Sequence, residues 1–150
     1  MPLLGAGKPV TLLKSESYVG RPKVSPNGQW VAYYSGAFGL NDVYVAAFPS
    51  FKEKRQVSSG GGCQPHWRAD GKELFYLSLD GKMMSVAVKG DTGIETGAPT
   101  PLFRISLPTD TSNNQYAVSG DGKRFIFGER ADTGNAAITV VLNWQAALKH

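Results

Sequence analysis

The sequence predicts an all-β fold assembled from repeated four-stranded antiparallel units, and three observations carry that prediction. Similar turn-plus-strand segments recur along the chain, glycine and proline are abundant, and the apolar residues come in short β-branched and aromatic runs bounded by turn signals. Gly 18 and Pro 9 in 150 residues call for many tight turns, and many turns call for short strands rather than long helices. With 41% hydrophobic and 19% charged residues, the chain can build one domain and is too short for two sizeable ones.

The first repeat, from Pro22 to Ser35, is a short strand, an Asn27-Gly28 turn and the strand Trp30-Val31-Ala32-Tyr33-Tyr34. The second, Pro65 to Ser78, carries Asp70-Gly71 followed by Leu74-Phe75-Tyr76-Leu77, and the third, Tyr116 to Gly128, carries Asp121-Gly122 followed by Phe125-Ile126-Phe127. The turn glycines stand 43 and 51 residues apart. The first interval matches a propeller blade of roughly 40–45 residues, and the second leaves room for a longer connection. Asn-Gly and Asp-Gly predict two-residue hairpin turns, because both accept the positive φ those turns demand. Third strands are expected at 41–48, 82–88 and 137–142, with Asp80-Gly81 closing the hairpin before the second of them. Short polar stretches at 54–58 and 101–105 read as fourth, outer strands.

The near-continuous apolar runs of the second and third strands fit sheets covered on both faces. Trp30, Tyr33, Phe75, Tyr76, Phe125 and Phe127 are therefore a packing set. The expected architecture is a β-propeller of three four-stranded antiparallel blades, at about 17–58, about 62–106 and about 114–143. The last blade has only three strands of its own, and a stray strand at 9–13 would complete it. Asn143 to Lys149 reads as a short terminal helix, with Asn143 as N-cap and Trp144 and Leu148 four apart on one face.

Composition narrows the chemistry. One cysteine, Cys63, closes no disulfide within the chain, and with only His66 and His150 beside it no zinc site of ordinary spacing is available. The expectation is no metal and no cofactor. The net charge of +4 is spread without a basic cluster, which argues against nucleic acid, and no apolar run reaches the length of a membrane helix. There is no G-x-S-x-G elbow, and Gly5-Ala6-Gly7-Lys8-Pro9 lacks the spacing and the hydroxyl of a phosphate loop. The acids form no repeated pair, so no catalytic residue is assigned.

The Ser/Arg-x-Asn/Asp-Gly-Lys/Gln turns followed by an aromatic strand resemble TolB-like β-propeller repeats, relatives of the WD-repeat propellers, from about Lys8 to Lys149. Gln56 to Gly62, Gln64 to Leu77 and the ending Ile138 to Trp144 are also similar to the C-terminal propeller portion of certain bacterial serine/threonine protein kinases. The kinase H-R-D and D-F-G motifs are absent from this chain. The resemblance implies a non-enzymatic module binding a protein or small ligand, and a place in the cell envelope or periplasm. Met1 to Lys8 carries no secretory-signal pattern.

Propellers of this kind close rings of six or more blades, and this chain supplies three. Two copies joined head to tail would make a six-bladed homodimeric ring in which each first strand completes the other chain's last blade, removing exposed sheet edges. The alternatives are a regulatory C-terminal portion of a bacterial serine/threonine kinase and the accessory propeller of a prolyl-oligopeptidase-like peptidase. A blade's first strand faces the central channel. Two-residue alternation along those strands would bring Arg21, Lys23, Gln64, His66 and Gln115 into one polar lining, available to a ligand or hydrogen-bonded as filler between blades.

Overall fold

The computed structural model describes residues 11, 13–37, 40–90, 93–105, 113–130 and 136–142. Three antiparallel sheets follow one another along the chain, and no helix occurs among the described residues. The first sheet is β1 (Tyr18–Val24), β2 (Trp30–Ala37), β3 (Leu40–Ala47) and β4 (Lys54–Gln56), paired in sequence order. The second is β5 (Gly62–Trp67), β6 (Glu73–Ser78) and β7 (Lys82–Lys89), with both β8 (Glu95–Thr96) and β9 (Thr100–Arg104) on the outer edge of β7. The third is β10 (Tyr116–Val118), β11 (Arg124–Arg130) and β12 (Ala136–Leu142). Strand order within every sheet follows chain order, the simple up-and-down meander of a propeller blade. The strand expected at 9–13 falls outside the described residues apart from Thr11 and Leu13, which are not in a strand, and the helix expected at 143–149 also lies outside them.

The turns differ from the two-residue type expected. Between β1 and β2 the N–H of Gly28 donates to Ser25 O at 2.8 Å, and the loop closes one pair further out, from Ser25 N to Trp30 O at 2.8 Å. The same pair of bonds recurs between Arg68 and Glu73 and between Ser119 and Arg124. Only the glycines take positive φ, 73° at Gly28, 71° at Gly71 and 72° at Gly122, whereas Asn27, Asp70 and Asp121 do not. These are four-residue loops built on a type I turn with a left-handed glycine behind it.

The side chains explain that choice. Ser25 Oγ accepts from Trp30 N at 2.9 Å and donates to Asn27 Oδ1 at 2.6 Å, while Asn27 Oδ1 also takes Gln29 N. Ser119 and Asp121 repeat the arrangement on Arg124 N and Lys123 N. The loop amides are thus satisfied from within, an outcome a two-residue turn does not provide. In the second blade Arg68 replaces the serine and holds Asp70 with two 2.8 Å bonds.

Sheets stack face to face in a consistent sense. Trp30, Ala32 and Tyr34 lie on the front of blade 1 and belong to the same core cluster as Leu74 and Tyr76 on the back of blade 2. Phe75, on the front of blade 2, meets Phe125 on the back of blade 3 edge to face, with centroids 5.1 Å apart. Phe103 of β9 adds a second such contact on Phe125 at 5.4 Å. The backs of successive blades thus present Val31 and Tyr33, Leu74 and Tyr76, Phe125 and Phe127, all at most 3% exposed. Burial of these large side chains is the main stabilising term in an arc of this kind.

Candidate functional site

The first strands of the three blades stand side by side. Trp67 of β5 donates its indole N–H to Lys23 O of β1 at 2.8 Å, and Gln64 of β5 makes three bonds to Tyr116 of β10 and to Gln115 just before it. Gln64 Nε2 donates to Gln115 Oε1 at 3.1 Å, Gln115 N donates to Gln64 Oε1 at 2.8 Å, and the Tyr116 hydroxyl donates to Gln64 O at 2.8 Å. Gln64 is 1% exposed. It is a polar rivet between blades 2 and 3, and Gln115 is its partner.

The alternation expected along these strands is interrupted. Register shifts between Gly20 and Lys23 in β1, and between Cys63 and His66 in β5, each insert one extra residue. Arg21 and Gln64 sit in these bulges with φ of 50° and 55°, the left-handed region where a side chain is strained. Two-residue parity therefore does not carry from Gln64 to His66, nor from Arg21 to Lys23. After the bulge Lys23 stands opposite Ala32 and His66 opposite Phe75, so both lie on the front faces of their blades.

His66 packs its ring against Tyr116 at 4.6 Å, and its Nε2 is buried with no hydrogen-bond partner among the described residues. Burial, with the positive charges of Lys23 and Arg21 added, holds its pKa down at about 4. Tyr116 is raised well above the ordinary tyrosine value, mainly by burial. Arg21, Lys23 and His66 thus share one electrostatic neighbourhood at the first two blades, while Gln64 and Gln115 join the second and third.

The turn residues do structural work. Asn27, Asp70, Asp80 and Asp121 each accept hydrogen bonds that close their own loops, and Gly81 (φ 79°) ends the β6–β7 turn. Arg68 also pairs with Glu73, which in turn accepts from Ser85. That chain of charge and hydroxyl was not visible in the sequence, because its members are close only once β5, β6 and β7 are in register. Among the described residues, no group of three or more His, Cys, Asp or Glu is arranged to hold a metal ion.

The two ends of the arc are unlike its interior. On the front of blade 3, Ile126 stands opposite Val140, and Ile138 and Leu142 share their side of β12. They are 47, 49, 77 and 59% exposed. Ile126, Val140 and Leu142 line a groove of about 370 Å³ with Ala117 and Val118. On the back of blade 1, Val31, Tyr33 and Ala46 are buried under Phe48 and Phe51, whereas Val24 and Leu40 at the rim are 47% and 77% exposed. Six of the eight exposed large hydrophobic residues described thus belong to these two faces.

These features define the class of fold as an arc of β-propeller blades. TolB from Acinetobacter baumannii is similar at 15% identity and a TM-score of 0.45, over 91% of this chain and 44% of that one. A protein assigned as a 6-phosphogluconolactonase from Bacteroides uniformis is similar at 16% identity and a TM-score of 0.49, over 87% of this chain and 42% of that one. The chain spans less than half the length of each. No protein-family model matches the sequence, and no curated protein matches it significantly.

Proposed function

We propose that this chain is a non-enzymatic propeller scaffold for binding a protein or small ligand, and that two copies join head to tail into a six-bladed ring. The observation that carries the reading is the row of exposed apolar side chains on the front of blade 3, matched by Val24 and Leu40 at the rim of the back of blade 1. Within the chain, the front of one blade covers the back of the next twice over. The front of blade 3 is the face for which no following blade exists among the described residues, and the back of blade 1 is the complementary surface of a second copy. A head-to-tail contact of this kind closes when the rotation per chain is half a turn, which three of six blades supply. Closure also brings together the polar first strands of all six blades around one axis, the surface a bound ligand would meet. No feature of the described residues favours the kinase-regulatory or peptidase-accessory alternatives over this one.

Sedimentation velocity on two separate variants tests the reading. Ile126→Lys with Val140→Lys charges one face, and Leu40→Lys charges the other. Both are expected to convert a dimer to a monomer while the far-ultraviolet spectrum of the sheets is kept. A wild-type monomer, or a dimer unaffected by either change, would overturn the ring.

A further inference from the structure

Blade 3 ends differently from the other two. β3 carries β4 on its outer side and β7 carries β8 and β9, whereas among the described residues nothing pairs with the outer side of β12. The outer strands of blades 1 and 2 are guarded as free edges usually are, by Lys54 and Arg55 in β4 and by Pro101 and Arg104 in β9. β12 runs Ala-Ala-Ile-Thr-Val-Val-Leu, without a charge or a proline. A strand of that composition suits pairing on both sides, and left open it is a template for aggregation.

The order of the blades selects the partner for that edge. β4 runs through residues 57–61 into β5, the first strand of the next blade, and β9 leads in the same way to β10. A strand ahead of β1 therefore belongs to the blade that precedes blade 1, which in the proposed ring is blade 3 of a second copy. The 43 residues between Gly28 and Gly71 also separate Gly20 from Cys63 and Lys23 from His66, the residues that flank the bulges of β1 and β5. Carried back by that interval, β4 (Lys54–Gln56) falls on Thr11-Leu12-Leu13, with Pro9 and Lys14 close by as edge guards. Leu13 is 36% exposed, and neither it nor Thr11 is in a strand within its own chain.

We propose that residues 11–13 of one copy pair with the outer edge of β12 in the other copy and complete its blade 3. The pairing takes its register from blade 1. Tyr33, opposite Tyr44, and Phe127, opposite Thr139, each lie five residues beyond their turn glycine, so β3 and β12 align. The β4 pairs of Gln56 with Tyr44, Arg55 with Val45 and Lys54 with Ala46 then become Leu13 with Thr139, Leu12 with Val140 and Thr11 with Val141. Leu12 stands beside Val140, which is 49% exposed in the single chain. The exchange rests on the ring reading and adds a second joint to it, backbone hydrogen bonds at the outer rim beside the face-to-face contact of the blades.

Disulfide trapping on the full chain tests the exchange. Chains carrying Leu12→Cys alone and chains carrying Val140→Cys alone are refolded together under reduction and then oxidised, with the native Cys63 buried at 0% exposure. A covalent pair of the two different chains is expected to form roughly tenfold faster than when Lys52→Cys, at an exposed position of blade 1, replaces Val140→Cys. Light scattering on the reduced chains in the same buffer separates this proposal from the ring itself. A dimeric mass with no trapping above the control would overturn the exchange and leave the ring standing, and a monomeric mass would overturn both. A disulfide that forms only within one chain carrying both cysteines would place the segment on its own blade 3 and overturn the exchange as well.

Discussion

Acid should weaken this fold before its carboxylates are protonated, and His66 is the reason. Its imidazole is held at about pKa 4 by burial and by Lys23 and Arg21, against 6.5 for an unperturbed histidine. The folded state therefore favours the neutral ring, and the unfolded chain takes up the proton first. Stability is complete above pH 6.5, falls as the pH drops towards 4, and changes no further from this group below that. A depression of this size corresponds to about 3 kcal/mol at about 1.4 kcal/mol per unit. Asp70 is held at about 2 by Arg68, so its own contribution is lost at lower pH, and the window between about pH 6.5 and 4.5 isolates the histidine. Urea unfolding followed by tryptophan fluorescence across that window should show the falling stability in the wild type and a nearly flat profile in His66→Gln. A flat wild-type profile, or a variant that keeps the slope, would refute the reasoning.

Three further changes probe the packing. Gln64→Ala removes two side-chain bonds to Gln115 across blades 2 and 3, and should lower the urea midpoint by an amount equivalent to about 1–3 kcal/mol. Gly62→Ala would place a methyl group 2.7 Å from the Tyr76 ring and 3.2 Å from Val43, between blades 1 and 2, and should cost about 1–3 kcal/mol in thermal or urea unfolding. Gly71→Ala meets nothing closer than 3.5 Å, so its cost is that of a left-handed alanine alone, about 1 kcal/mol by the same assay.

Much of this architecture can be read from short-range patterns. The Ser-x-Asn/Asp-Gly turns and the apolar runs that follow them mark nine of the strands, because each signal sits within a few residues of what it specifies. The turn class departs from the local signal for a similarly local reason: Asn-Gly and Asp-Gly suit a two-residue turn, but Ser25 and Ser119 supply a hydroxyl that satisfies a longer loop. Features that depend on register were hidden. The bulges at Arg21 and Gln64 are set by pairing with β2 and β6, and they overturn the simple parity that would put Gln64 and His66 on one face. The short strand β8 has no apolar pattern and exists because it reaches the edge of β7. Trp30 reads as core, and it is core, yet its edge also forms a cleft wall that appears only when Lys72 and Val88 arrive from another blade.

In the proposed ring, the open face of blade 3 meets the back of blade 1 in a second copy. Absolute mass by light scattering over a range of concentrations tests it most directly. The ring predicts a constant mass of twice 16.1 kDa. A constant mass of one chain, or a ladder of ever heavier species as concentration rises, would contradict it.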